Sequence, residues 1–360
     1  MKLLIKEPNK HIKILKKKKY KSTKIKCEVC EKNESIIFQN IGKTGNKPGL
    51  YGYLPISVCS NCGHKYLSPR YPDSFYKEFF KKEYGNSLYK KTNPTKKYLT
   101  FQKERGEKVY SYLNKFLKKS NGKLLDHGTA TGLALVPWIK NNWNCYGIDP
   151  HKPSVKYAKN QGLNVKYGYG EKLKFKSNYF DVILSLGSFE HAYDINKTFK
   201  EFKRVLKYNG ILFLRWRSDK FRGSPLEYYN YVTNRYFTKS SLSNLLLKHN
   251  FRITKFINTK IEGYDTFEYI IAKKNIKGTR IKFVSNINKI LNYHLSYYKK
   301  YHSKCLKASR LKNENLKTKL KFIKKNKIGL MNIGRETAIK RVFKEMYYYL
   351  KTIKRYNIYK

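Results

Sequence analysis

Between Gly122 and Trp216 the chain alternates short apolar runs with amphipathic stretches, and no other feature limits its fold so tightly. Lys123–Asp126, Asn144–Asp149, Phe180–Leu186 and Gly210–Trp216 read as strands. Helices over Leu133–Lys140, Lys152–Asn160 and Ile195–Leu206 separate them. Apolar strands joined through helices require a parallel, doubly wound sheet, because each crossover lays its helix across a sheet face. A helix over Ser240–His249 and two further strands, Phe251–Ile257 and Phe267–Ala272, fit a closing antiparallel pair.

The turn after the first strand carries chemistry. In Leu124-Leu-Asp126-His-Gly128-Thr-Ala130-Thr-Gly132 an acid ends the strand, small residues alternate, and a helix follows. Small residues let backbone approach a ligand closely, and the helix start offers free N–H groups. Asp149 ends the next strand 21 residues after Gly128, where a carboxylate can accept both ribose hydroxyls of an adenosine. A nicotinamide fingerprint would need glycine at positions 130 and 133, which hold Ala130 and Leu133, and the phosphate-loop pattern is absent.

The order Asp-x-Gly-x-Ala-x-Gly resembles the first motif of class I S-adenosylmethionine-dependent methyltransferases, with one glycine replaced. The likeness continues through Gly147-Ile-Asp149, Gly168-Tyr169-Gly170-Glu171-Lys-Leu173-Lys-Phe175, Phe180-Asp181-Val-Ile183, Phe189-Glu190-His191 and Arg204-Val-Leu-Lys207-Tyr-Asn-Gly210, and spans about residues 119–274. It implies a seven-stranded, Rossmann-like α/β sheet. It also implies S-adenosylmethionine as cofactor, held by Asp126, Gly128, Ala130, Gly132, Asp149, Gly170, Glu171 and Leu186. Two departures stand out: Tyr169 replaces an acid that often meets the adenine amino group, and the strand at Ile211 ends in Arg215-Trp-Arg217.

Methyl transfer from a sulfonium is an in-line displacement, so alignment supplies most of the catalysis. A base helps when the acceptor is a hydroxyl, and His191, just past the strand Phe180–Leu186, is the candidate. Arg215 and Arg217 suit a bidentate clamp on phosphate or carboxylate. Tyr228, Tyr229 and Tyr231 are candidates for lining an acceptor pocket, with plain aromatic packing as the commoner use of such a loop.

Upstream, Cys27-x-x-Cys30 and Cys59-x-x-Cys62 flank a Gly-containing stretch, Asn40–Tyr53, with the character of β-ribbon turns. Four thiolates on two knuckles satisfy a tetrahedral zinc ion and leave no open position, so a structural metal is expected, with His64 as a bystander and only alternatively a substitute ligand. Cys145 and Cys305 fall on a strand and a helix and read as core residues. The cysteine pairs, followed by Leu67-Ser-Pro-Arg70 and a helical segment, resemble the zinc-binding domain of bacterial methyltransferases that act on sugars and surface glycans. That resemblance implies a role in polysaccharide biosynthesis, with a sugar, sugar nucleotide or lipid-linked saccharide as acceptor.

The resulting organisation is a basic tail (1–23), a zinc-binding module (24–70), a helical connector or lid (71–118), the methyltransferase domain (119–274) and a basic helical extension (275–360). From Ile271 onward 26 Lys and Arg face three acids, and Phe283, Ile287, Leu291, Leu295, Tyr298 and Ile339, Phe343, Tyr347, Leu350 form two apolar helix faces. The net charge of +55 leaves three partners open: a phosphorylated small acceptor, the anionic inner face of the membrane, and RNA. An RNA methyltransferase is therefore the alternative, limited to ribose or similar chemistry because Ser185-Leu-Gly-Ser188 replaces the N/D-P-P-Y/F element of amino methylation. A non-catalytic scaffold of the same fold is the third reading. No apolar run nears the roughly 18 residues that span a bilayer, and the N-terminus lacks the apolar core of a secretory signal. A cytoplasmic location is expected. Sequence leaves the oligomeric state open.

Overall fold

The computed structural model describes residues 20–44, 51–82, 89–90, 93–117, 119–218, 224–257, 261, 267–274, 287–326, 328 and 335–355. Most of the basic tail, residues 1–19, and Phe283 lie outside them. Two compact units form. One holds Pro72–Ser218 and Phe237–Lys282, the other Met1–Tyr71, Asp219–Tyr236 and Phe283–Lys360.

The chain starts in the second of these with β1 (Ser35–Lys43), β2 (Tyr51–Cys59) and β3 (Lys65–Leu67), an antiparallel meander whose first pair shifts register on either side of Gln39. It then enters the larger unit through α1 (Asp73–Lys82), a two-residue ribbon of β4 (Tyr89–Lys90) and β5 (Asn93–Pro94), and α2 (Lys96–Leu113). Thr95 starts α2 by accepting the Tyr98 amide on its hydroxyl at 3.3 Å, satisfying a donor that the first helical turn leaves open.

The central sheet follows: β6 (Gly122–His127), α3 (Val136–Lys140), β7 (Trp143–Asp149), α4 (Lys152–Asn160), β8 (Val165–Tyr167), β9 (Phe180–Leu186), α5 (Ile195–Val205) and β10 (Leu206–Arg217). After α6 (Pro225–Tyr228) and β11 (Arg235–Tyr236), which belong to the smaller unit, come α7 (Lys239–Lys248), β12 (Phe251–Ile257) and β13 (Phe267–Lys274). The strand order is β12-β13-β10-β9-β6-β7-β8, with β13 antiparallel to both neighbours and the rest parallel. The alternation gives the doubly wound parallel core and its antiparallel closing pair, and the family resemblance the seven-stranded, Rossmann-like sheet observed.

Three local differences have physical causes. β8 was not expected, because only Val165 of its three residues is buried, as befits a strand at the sheet edge. The helix expected from Leu133 opens as a 3₁₀ turn, and α3 starts only at Val136, with Pro137 in its first turn where no N–H is needed. β10 starts at Leu206, so the strand takes over directly from α5. α5 buries Ile195, Phe199, Phe202 and Val205, a helical stripe in which each large side chain contributes about 1.5–3 kcal/mol. Leu124, Val182, Leu184, Phe213 and Ile271 form the sheet side of a core that α2 and α3 close with Val109, Leu113 and Trp138.

The smaller unit is completed from the far end of the chain. β11 pairs with β3, giving the order β1-β2-β3-β11. Helices α8 (Ile287–Ser309), α9 (Leu316–Lys325) and α10 (Arg335–Arg355) bring Tyr298, Tyr301, Ile323, Ile339, Val342 and Tyr349 into a core with Ile41, Tyr51 and Leu226. Of the apolar faces read from the sequence, Tyr298, Ile339, Phe343 and Leu350 pack in this core while Tyr347 is exposed, and Lys300, Lys307, Lys317, Lys321, Lys340 and Lys344 are exposed. Among the described residues no helix is long and apolar enough to cross a membrane.

Candidate active site

At the carboxyl edge of the larger sheet, β6 ends in Asp126 and His127 and the chain turns at Gly128 (φ +72°). A Cβ at Gly128 would lie 2.3 Å from the Cβ of Ser188, so only glycine lets this turn sit against the end of β9. Ala130 adopts φ +52°, a left-handed conformation that costs a residue with a Cβ about 1–2 kcal/mol. Asp149 holds it there: Oδ2 accepts the Ala130 amide at 2.7 Å and Oδ1 the His151 amide at 2.8 Å. Each oxygen keeps a lone pair for a ligand.

Around this loop opens a cleft of about 240 Å³. Gly128, Ala130 and Asp149 form one wall, with Gly168, Tyr169, Gly170 and Glu171 beside them. Leu186, Ser188, His191 and Arg215 form the part over β9 and β10, and α1 and α2 cover it with Tyr76, Lys77, Tyr98, Phe101, Gln102 and Arg105. The covering helix is held close by Gly106, where a Cβ would meet the backbone of Ala134 at 2.7 Å.

Burial governs the site's charges. It pushes the Asp149 carboxyl up to about 6 against its two amide donors. It also raises Asp126 to about 6, with Arg105, the Thr129 hydroxyl and Arg215 pulling the other way. Burial, reinforced by His191, holds His127 down to about 4, leaving a neutral imidazole at pH 7. Its Nδ1 stands 3.0 Å from Ser185 Oγ and 3.2 Å from Ser188 Oγ, and Phe202 packs edge-on at 5.0 Å. Glu190 is raised to about 7 by burial, against the guanidiniums of Arg215 and Arg217.

Of the residues singled out in the sequence, Gly128, Ala130, Asp149, Gly170, Glu171, Leu186 and His191 line the cleft. Asp126, 1% exposed, and Gly132, packed on Leu163 and Val165, shape the loop from behind. Glu171 spends one oxygen on the amides of Tyr193 and Asp194, at 2.9 and 3.2 Å. Tyr169 stands at the lining with its ring beneath Lys77 Nζ, 5.7 Å from the centroid. Arg215 lines the cleft and Arg217 does not. Tyr228 and Tyr229, read as acceptor-pocket residues, are instead buried against Tyr236 within the smaller unit, with centroids 5.5 and 4.7 Å away. The sequence reading had a helical lid here but missed His127 and, on α2, Gln102 and Arg105, although Tyr98, Gln102 and Arg105 recur at the i, i+4, i+7 spacing of one helix face.

In the smaller unit the Sγ atoms of Cys27, Cys30, Cys59 and Cys62 lie within 4.8 Å of one another, with Cys27–Cys62 at 3.5 Å and Cys30–Cys59 at 3.4 Å. Tetrahedral Zn–S bonds of about 2.3 Å place sulfurs about 3.8 Å apart, so this donor set fits zinc. His64 stays outside the group, stacked on Tyr66 at 5.6 Å. Glu28, between the first two cysteines, anchors the knuckle. Its carboxylate accepts Arg235 Nε at 2.8 Å, Arg235 Nη2, and both terminal nitrogens of Arg70 at 2.9 and 3.2 Å. Burial would raise this carboxyl, but the two guanidiniums outweigh it and hold it at about 2.

Residues 125–214 match the family model of a methyltransferase domain. Over 100 residues the chain is 38% identical to a ubiquinone biosynthesis O-methyltransferase of Pelagibacter ubique, covering 26% of this chain and 41% of that one. It is 31% identical over 106 residues to an uncharacterised methyltransferase of Bacillus subtilis, 27% and 41% of the two chains. The match thus spans about two fifths of the length of these relatives. Among solved structures, a SAM-dependent methyltransferase from Aquifex aeolicus aligns at TM-score 0.39 and 21% identity, covering 56% of this chain and 98% of that one.

Proposed function

We propose that this chain is a class I S-adenosylmethionine-dependent methyltransferase acting on a small-molecule or glycan acceptor: a sugar, a sugar nucleotide or a lipid-linked saccharide of polysaccharide biosynthesis. The observation that carries the proposal is the Gly128–Gly132 loop tied to Asp149 at the mouth of a cleft, within the segment that matches a methyltransferase domain.

The residues present fit the cofactor. Asp149 retains acceptor capacity beside a loop whose glycine leaves room for close backbone approach, and Gly170, Glu171 and Leu186 extend the same wall. When bound, S-adenosylmethionine supplies an electrophilic methyl group. Asp149 orients it through the ribose, Gly128 and Ala130 admit it to the backbone, and α2 covers the cleft to exclude water. His191 takes the acceptor hydroxyl proton on its imidazole, a contribution of typically 10²–10⁴-fold. The catalytic segment is residues 119–274, with 71–118 as its lid. The four cysteines hold a structural zinc that fixes the fold of residues 24–70, while 275–360 forms the basic extension.

A second reading, methylation of RNA, draws on the exposed lysines of α8, α9 and α10. Incubation with methyl-labelled S-adenosylmethionine separates the two. Label in a nucleotide sugar or a lipid-linked saccharide supports the proposal, label in RNA favours the second reading, and label in neither under conditions of proven cofactor binding contradicts both.

A further inference from the structure

Arg215 sits on β10, which is separated from the loop strand β6 by β9. At about 4.8 Å per strand its backbone lies about 10 Å across the sheet from that loop, and farther from Asp149 on β7. Yet its side chain lines the same cleft and is only 6% exposed. The guanidinium is held on two sides. Its Cζ lies 3.7 Å from the centroid of the Phe267 ring, and Gly187 leaves open the space where a Cβ would stand 3.2 Å from Nη2. A guanidinium clamped over a ring has a fixed plane, so its N–H fork points in one direction.

A second guanidinium serves the loop end of the cleft. Arg105 belongs to the helix that rests on Ala134 at Gly106, and its charge acts on Asp126 more strongly than that of Arg215 does. Arg215 acts more weakly on Asp126 and also acts on Glu190, on the turn that carries His191. Its place on β10, beside β9 and two strands from the loop strand, sets Arg215 toward the side of the cleft where the turn after β9 carries His191.

We infer that Arg215 is a specificity-determining residue that selects acceptors bearing an oxyanion, a carboxylate or a phosphate, beside the hydroxyl to be methylated. The inference rests on the methyltransferase reading above and narrows its acceptor class. Such anions present two oxygens to a guanidinium fork, and the pair of charge-assisted bonds fixes orientation as well as affinity.

The test is isothermal titration of the full chain at constant ionic strength, using inorganic pyrophosphate and malonate as probes, with and without S-adenosylhomocysteine. R215Q removes the cation. R215K keeps a positive charge facing Glu190 and loses the fork, which guards against an unfolded variant. R217Q controls for general surface charge. The expected result is that at least one anion binds the wild type at least tenfold more tightly than either Arg215 variant, that R217Q matches wild type, and that all variants bind S-adenosylhomocysteine within threefold of wild type. The anion that discriminates identifies the acceptor group. Identical anion isotherms for wild type and both Arg215 variants overturn the inference. A tenfold loss of S-adenosylhomocysteine in both also overturns it, by assigning Arg215 to the cofactor. If wild type binds no S-adenosylhomocysteine, the methyltransferase reading fails, and the anion titrations alone still decide whether Arg215 is an oxyanion site.

Discussion

The Asp149 carboxylate accepts the Ala130 amide at 2.7 Å and so holds an alanine at φ +52°, a conformation in which glycine is more comfortable. Loop and acid are therefore one device. The hydrogen bond that shapes the cleft also sets the orientation of the carboxylate that faces it.

A first expectation concerns that strain. Ala130→Gly relieves about 1–2 kcal/mol of left-handed backbone cost and adds about 0.4–1 kcal/mol of unfolded-state entropy. The difference favours the variant, and a urea denaturation series is expected to give about 0.5–1 kcal/mol of added stability. A clear loss of stability would mean that the loop adopts a different conformation in solution.

A second concerns pH. Burial raises both Asp126 and Asp149 from 3.8 to about 6 in the folded chain. Between about pH 4 and 6 the folded state therefore keeps protons that the unfolded state has released, so these two groups remove stability as pH rises through that window and add no further change above it. On the proposed reading, in which ribose hydroxyls donate to an ionised Asp149, cofactor binding has the opposite sign. The affinity for S-adenosylhomocysteine is expected to weaken below about pH 6, by up to tenfold per unit. Calorimetry across this range checks it, and a pH-independent affinity would remove Asp149 from the binding account.

A third concerns Glu28, which meets a fully buried Arg235 and the 3%-exposed side chain of Arg70. Glu28→Gln removes the carboxylate that both guanidiniums share, and breaking one partner of a buried ion group costs about 3–5 kcal/mol. A large drop in the urea midpoint is expected. A change under 1 kcal/mol would mean that water reaches the cluster.

A fourth concerns the metal. Elemental analysis of protein purified without added metal is expected to find one zinc per chain. Chelation or Cys59→Ser should make residues 24–71 protease-sensitive, since ligand binding and folding are coupled in such sites. Full protease resistance after proven metal removal would assign the cysteines a role without zinc.

The larger unit was legible because its strands carry near-continuous apolar runs and its loop carries residues with few alternative uses. β8 was hidden because Lys166 and Tyr167 face solvent, so a single buried Val165 gives no periodic signal. Arg235 stands 207 residues from Glu28, and nothing local to either marks the pairing. For Tyr228 and Tyr229 the sequence left pocket lining and plain packing open, because an aromatic loop has the same composition whether it lines a cleft or, as here, packs on Tyr236. On α2 the polar residues Gln102 and Arg105 line the cleft, and nothing in their local sequence separates them from a solvated helix face.

The most direct test of the central claim is calorimetric binding of S-adenosylmethionine to the wild type and to Asp149→Ala. The account predicts micromolar binding by the wild type and a loss of roughly 1.5–3 kcal/mol in the variant, the worth of hydrogen bonds to a charged group. Equal binding by both proteins, or none by folded wild type, would contradict it.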